Sequence, residues 1–192
     1  RKGSKYVACA MRFSKSAVPV VVAVRDMLNL AATTKEVKQM VHDKMLKING
    51  KTVHDIHQPI PIFGIFHADK TYKMIVKPTG RFEFEETSDA IRLTKVIGKT
   101  LVREGEMQYN LHDGTNIISK NKINVGDTLV MDFENKIKKH IAIEKDKNVF
   151  VISGSNIGGS GSITAINGNN VAIKLHDKKE EVVLDKAQII VR

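Results

Sequence analysis

The chain has 192 residues, 42% apolar but only 5% aromatic and without Trp, which suits one to three small cores built from Val, Ile and Leu. A single cysteine, Cys9, excludes an internal disulfide framework and a cysteine-clustered zinc site, and fits a reducing intracellular compartment. The net charge of +10 is unevenly placed: residues 1–51 hold 11 Lys and Arg against 3 Asp and Glu, and the remainder hold 20 against 18. That asymmetry predicts a polyanion-binding module followed by nearly neutral ones. The run AVPVVVAVRDML is broken by Arg25 and Asp26 too early to span a bilayer, so a soluble protein with no membrane partner is expected.

Residues 1–17, RKGSKYVACAMRFSKSA, mix five cations with Gly and Ser and show no sustained period, as an arm that orders on a partner would. Its cations are Arg1, Lys2, Lys5, Arg12 and Lys15. From Val18 to Leu30, apolar residues at helical spacing predict a first short helix with Pro19 in its first turn and Arg25 on its flank. Thr33 or Thr34 can cap a second helix, with Val37, Met40 and Val41 as its apolar stripe and Lys35, Lys38 and His42 facing elsewhere. KMLKINGKTV then alternates into a hairpin turning at Asn49-Gly50. Cations thus lie on three consecutive elements: Lys35, Lys38, Lys44, Lys47 and Lys51, with Arg25 a less central member. QPIPIFGIF, residues 58–66, reads as an edge strand or bend closing this unit. His54 and His57 lack a third ligand and a catalytic Glu at metal-binding spacing, so no metal is expected.

Glu85 to Leu93 reads as one or two helical turns, after which the pattern becomes β. LTKVIGKTLV, GEMQYNLHDGTNII and VGDTLVMDF are strands separated by turns at Glu104-Gly105, Asp113-Gly114 and Gly126-Asp127. His112, Asp113 and Asp127 flank these glycines and read as turn residues rather than acid-base groups. In VFVISGSNIGGSGSITAI, Gly154 and Gly159 have P-loop separation, but Ser160 stands at the lysine position and Gly161 at the Ser/Thr position. A strand-loop-strand reading follows, with no nucleotide cofactor, and Asn167-Gly168 supplies the next hairpin turn. The final segment alternates into two more strands around a charged turn at Lys178 to Glu181.

The segment RDMLNLAATTKEVKQMVHDKMLKINGKTV resembles the alpha-L RNA-binding motif, in which the exposed face of the second helix and the start of the hairpin bind structured RNA. LTKVIGKTLVREGEMQYNLHDGTNI and INVGDTLVMDF resemble the central domain of the archaeal and eukaryotic type of small-subunit ribosomal protein four. That family continues into a barrel bearing the KOW motif, whose places Gly154, Ser155, Asn156, Gly158 and Gly161 fill. This copy has Ser155 and Gly159 where cations are common, so a weak electrostatic grip is expected there.

The implied fold is α+β and mostly β: a basic arm (1–17), a helix-helix-hairpin RNA-binding module (18–80), a central β domain (81–147) and a KOW-like small β-barrel (148–192). The implied function is a structural constituent of the small ribosomal subunit, cytoplasmic within the ribosome. Its expected partners are ribosomal RNA and neighbouring ribosomal proteins, with no catalysis and no cofactor. Two other roles use similar modules: an accessory factor visiting ribosomes, and an RNA-modifying enzyme, which would need a larger α/β domain than residues 67–192 provide.

Overall fold

The structure is a computed structural model and describes residues 8–11, 16–103, 105–176 and 181–192. Its packing divides the chain into two units, one running to Ile75 and including Phe82–Ala90, the other made of Val76–Arg81 and Ile91–Arg192. The division differs from that expected in the sequence: residues 82–90 join the first unit, and the central and C-terminal sheets form a single second unit.

In the first unit, β1 (Ala17–Pro19) leads into α1 (Val20–Val22), which continues as a π turn over Ala23–Met27. The helix therefore begins two residues later than its apolar spacing predicts, with Pro19 extended at φ −70° and ψ 146°. Leu28 N–H donates to Ala23 O at 2.9 Å, the five-residue step of the wider helix. Val20, Val21, Val22 and Val24 are β-branched and lose χ1 freedom in a tight α turn, consistent with this widening. α2 (Thr34–His42) is capped by Thr33, whose Oγ1 accepts from Glu36 N–H at 3.3 Å. The Glu36 carboxylate accepts from Ala32 N–H and then from the Thr33 hydroxyl, which holds its carboxyl below the usual carboxylate range.

β2 (Lys47–Ile48) and β3 (Lys51–Thr52) close on a two-residue turn with Asn49 at φ 50° and Gly50 at φ 80°. Asn49 is buried, and it engages Ile65 twice: its N–H donates to Ile65 O and its Oδ1 accepts from Ile65 N–H, both at 2.8 Å. β4 (Pro59–Pro61) pairs with β1, and a turn with Phe63 at φ 59° leads into β5 (Ile65–His67) and β6 (Thr71–Val76). β7 (Phe82–Glu86) completes a sheet of order β3-β2-β5-β6-β7. The helical turns expected over residues 85–93 do not form: Glu85 and Glu86 end β7, residues 87–90 are irregular and a further strand begins at Ile91, while Phe84 tilts against Phe66 of β5 with ring centroids 6.1 Å apart. Val20, Val24, Val37, Leu46, Ile60, Ile65, Phe66 and Met74 are fully buried and make the first core.

The second unit has two antiparallel sheets. β8 (Ile91–Arg103), β9 (Glu106–Leu111), β10 (Asn116–Ser119), β11 (Thr128–Asp132) and β12 (Ile137–Ile141) lie in the order β10-β9-β8-β11-β12. β13 (Asn148–Val151), β14 (Ser160–Asn167), β15 (Asn170–Leu175), β16 (Glu181–Asp185), a 3₁₀ turn (Lys186–Gln188) and β17 (Ile189–Val191) build the other, in the order β16-β15-β14-β13-β17. Asn167 pairs with Asn170, so the β14–β15 turn is Gly168-Asn169, one residue beyond the expected Asn167-Gly168. Gly168, at φ 59°, takes the left-handed position. The charged turn expected at Lys178 to Glu181 lies outside the described residues up to Glu181, which opens β16.

Buried polar groups tie these two sheets together. The Lys95 ammonium on β8 donates to Lys186 O at 2.5 Å and to Ile189 O at 2.8 Å, capping the end of the 3₁₀ turn. Thr128 Oγ1 accepts from Val191 N–H at 3.1 Å. Asp127 and Asp113 do stand at turns. Asp127, however, is buried and accepts from Asn124 N–H, Ile143 N–H and His140 Nε2. Asp113 accepts from Thr115 N–H and lies 3.5 Å from the Nε of buried Arg92. No described helix is long and apolar enough to cross a membrane.

Two predictions test these anchors. Asn49→Ala leaves Ile65 N–H without its acceptor in a buried place and should lower unfolding stability by about 1–3 kcal/mol in urea denaturation. Burial pulls the Lys95 ammonium from 10.5 down to about 8, with Asp185 opposing. The unfolded chain therefore binds more protons than the folded one between those values, so this group's contribution to stability rises with pH through that window. The stability of the natural protein relative to Lys95→Met should rise by about 2 kcal/mol from pH 8 to pH 10; a constant difference would contradict the buried titration.

Candidate nucleic-acid interface

The predicted cations of the first unit that the structure describes are Arg25, Lys35, Lys38, Lys44, Lys47 and Lys51; Arg1, Lys2, Lys5, Arg12 and Lys15 lie outside the described residues. Lys35, Lys38 and His42 are spaced three and four apart on α2 and share one face, opposite buried Val37. A recess of about 280 Å³ beside this face is lined by Lys38, Val41, His42, His54, Asp55 and Ile56. It collects two histidines 12 positions apart in sequence, which no local spacing could have linked. His57 turns elsewhere: its Nδ1 lies 3.2 Å from Cys9 O and its carbonyl accepts from Met11 N–H, so the described part of the arm runs beside it.

Lys44 stands at φ 56°, just past the end of α2. Its N–H donates to Val41 O and Met45 N–H donates to Met40 O, a Schellman closure in which glycine usually takes the left-handed place. Lys44 is exposed there, and its left-handed backbone is strained.

The hairpin does not gather its lysines on one side. Lys47 pairs with Thr52 and with His67, whereas Lys51 pairs with buried Ile48, so the two cations leave opposite faces of the ribbon. Burial chiefly, and then the charge of Lys47, hold the His67 imidazole below its ordinary value. Arg25 behaves differently from the lysines. Its Nε and Nη2 grip both oxygens of Asp26 at 2.6 and 2.8 Å, and its Nη1 donates to Thr34 Oγ1 at 2.9 Å. This fork neutralises Arg25 and fastens the first helix to the start of α2. Among the described residues, Lys35, Lys38, Lys44, Lys47 and Lys51 are all exposed and enter no ion pair.

The glycine-rich turn between β13 and β14 serves the interior of the second unit. A Cβ on Gly158 would lie 2.3 Å from Lys77 O and 2.5 Å from Pro78 N, and one on Gly161 would lie 2.3 Å from Lys174 O. Both residues are glycine because the chain's own backbone passes too close for a side chain. Gly158 also closes the turn by donating to Val151 O, while Gly154 sits beside Gln188. Ser153, Gly154 and Ser155 are exposed and Asn156 is half-buried. Backbone approach to a partner is therefore open only at the exposed tip, not at Gly158 or Gly161.

The sequence matches the Ribosomal family S4e over residues 68–138. It is 31% identical over 174 residues to the small ribosomal subunit protein eS4 of Methanocella arvoryzae, covering 86% of this chain and 74% of that one. It is 32% identical over 170 residues to the protein of the same name from Archaeoglobus fulgidus, covering 85% and 72%. The crystal structure of the 30S ribosomal protein S4e from Thermoplasma acidophilum has the same fold, with a TM-score of 0.77 at 22% identity over 92% of this chain and 94% of that one. With relatives matched along both units, from the cationic helix and hairpin to the glycine-rich turn, the chain belongs to the ribosomal S4e family.

Proposed function

We propose that the protein is a structural constituent of the small ribosomal subunit that binds and braces ribosomal RNA, residing with the ribosome in the cytoplasm and touching neighbouring ribosomal proteins. The observation that carries this is membership of a family whose relatives are named small ribosomal subunit proteins. The geometry supplies a mechanism. Lys35 and Lys38 on one helix face, Lys44 at its end and Lys47 on the adjoining hairpin are exposed, uncompensated and held on ordered backbone, so they can meet several phosphates with little further ordering. Folded RNA is then recognised by shape, since A-form grooves offer little sequence to read. Lys51 reaches from the opposite face of the hairpin, and Arg25 acts by positioning the helices. The arm cations Arg1, Lys2, Lys5, Arg12 and Lys15 add further positive charge to the same module.

The role requires no chemistry. Of the two other readings, an RNA-modifying enzyme finds no support in the described residues from β8 onward, which are strand, turn and one 3₁₀ turn rather than a larger α/β domain. Few aromatic side chains are interleaved with the lysines, which disfavours a single-strand stacking platform.

Replacing Lys35, Lys38 and Lys47 together with Ala should reduce the slope of log affinity against log salt for small-subunit ribosomal RNA by about 0.7–0.9 for each phosphate left unneutralised. A filter-binding salt series reads this directly, and an unchanged slope would remove the footprint. Lys44→Gly separates charge from fold: relief of the left-handed strain should stabilise the protein by about 1 kcal/mol while RNA affinity falls. If stability and affinity rose together, the lysine would have no binding role.

A further inference from the structure

We propose that the second unit carries its own phosphate-binding site for ribosomal RNA, a recess beside the edge strand β12 in which Lys139, Lys147 and Arg192 converge. The proposal rests on the RNA-binding reading above and places the second unit's RNA-binding surface away from its glycine-rich turn.

The recess has a volume of about 440 Å³, room for a phosphodiester with its flanking sugars, and its walls include Lys139, His140, Glu144, Lys147 and Arg192. Three cationic side chains and one acidic side chain, Glu144, thus line it. The surrounding cations are engaged differently. Lys136 Nζ lies 2.6 Å from Glu134 and Lys138 Nζ 3.4 Å from Asp132, whereas Lys139, Lys147 and Arg192 enter no ion pair among the described residues. All three cations that line the concavity are thus without an acidic partner among the described residues. A concave wall with fixed positive charge concentrates anions more strongly than a flat surface carrying the same charges.

Backbone geometry puts them there. β12 is the last strand of its sheet, so among the described residues its outer side has no neighbouring strand. A bulge in its pairing with β11 sets Ile137 opposite Met131 but Lys139 opposite Val130, leaving Lys138 as the extra residue. Met131 and Val130 point to opposite faces of β11, so Ile137 turns into the core with Met131 and Lys139 turns out of it. In regular pairing, Ile137 and Lys139 would share one face. Arg192 is fixed at the end of β17 by its N–H, which donates to Asn148 O at 2.8 Å, and Lys147 is fixed next to it by its carbonyl, which accepts from Ile163 N–H at 3.0 Å. His140 is anchored through Nε2 at 2.7 Å from Asp127 Oδ2.

The test uses the full chain and intact small-subunit ribosomal RNA in a filter-binding salt series, with thermal melts to verify folding. Lys139→Ala, Lys147→Ala and Arg192→Ala combined should flatten the salt slope by about 2, for two to three phosphates at 0.7–0.9 each, and weaken binding at least tenfold. Lys136→Ala with Lys138→Ala, the paired cations at the start of the same strand and just before it, should leave the slope unchanged. If the combined variant fails to fold, Lys139→Gln and Lys147→Gln measured singly should each lower the slope by nearly one. An unchanged slope in the recess variants, alongside a lowered slope in the Lys35, Lys38 and Lys47 variant, overturns this site while leaving the RNA reading intact. Unchanged slopes in both sets overturn both. Loss of binding to poly-glutamate with unchanged RNA binding would assign the recess to an acidic protein segment and overturn the proposal.

Discussion

Lysines left without acidic partners repel one another, and a fold that keeps several of them on a few short elements must hold the backbone beneath them by other means. In the first unit that support comes from hydrogen bonds and caps rather than from ion pairs with those lysines. The Thr33 cap and the Glu36 carboxylate secure the start of α2, the Schellman closure secures its end, and Asn49 fastens the hairpin to Ile65 through two hydrogen bonds. Arg25 is neutralised by Asp26 and so joins the two helices without adding to the repulsion. The remaining cations gain their partner only when RNA supplies it, which is why affinity and salt dependence report on them while unfolding experiments report on the supports.

The second unit solves a different problem. Its sheets are short and poor in aromatic side chains, so it relies on close backbone approach and a few buried polar links. Gly158 lets the turn pack against the segment at Lys77 and Pro78, and Gly161 lets β14 pack against β15 at Lys174. Lys95 spans from one sheet to the carbonyls of the 3₁₀ turn, which leaves its ammonium desolvated. The buried side of a glycine-rich loop is thereby committed to the interior, leaving only its tip exposed, while Lys139, Lys147 and Arg192 line a recess beside β12.

Local chemistry was legible wherever a single residue type dictates a local geometry. The Asn49-Gly50 turn, the threonine cap, the alternating strands and the mostly β class follow from such signals, and the three successive segments marked the family. Features set by residues far apart were not legible. β7 was hidden because FEFEE satisfies a strand only when β6 and Phe66 lie beside it. The Asn167-Gly168 turn slid by one residue because the register of β14 and β15 is fixed along their whole length, including a bulge at Thr164. The meeting of His42 with His54, and of Lys139 with Arg192, arises only from tertiary packing. Arg25 read as a free cation because adjacent opposite charges do not announce whether they will pair.

A lasting part of the small subunit survives conditions that strip a visitor from it. The most direct measurement is to tag the chain in its native host, purify small subunits through a high-salt sucrose cushion and determine its stoichiometry by quantitative mass spectrometry. Retention at one copy per small subunit is the predicted result. Release into the supernatant, or a copy number far below that of the other small-subunit proteins, would contradict a structural role.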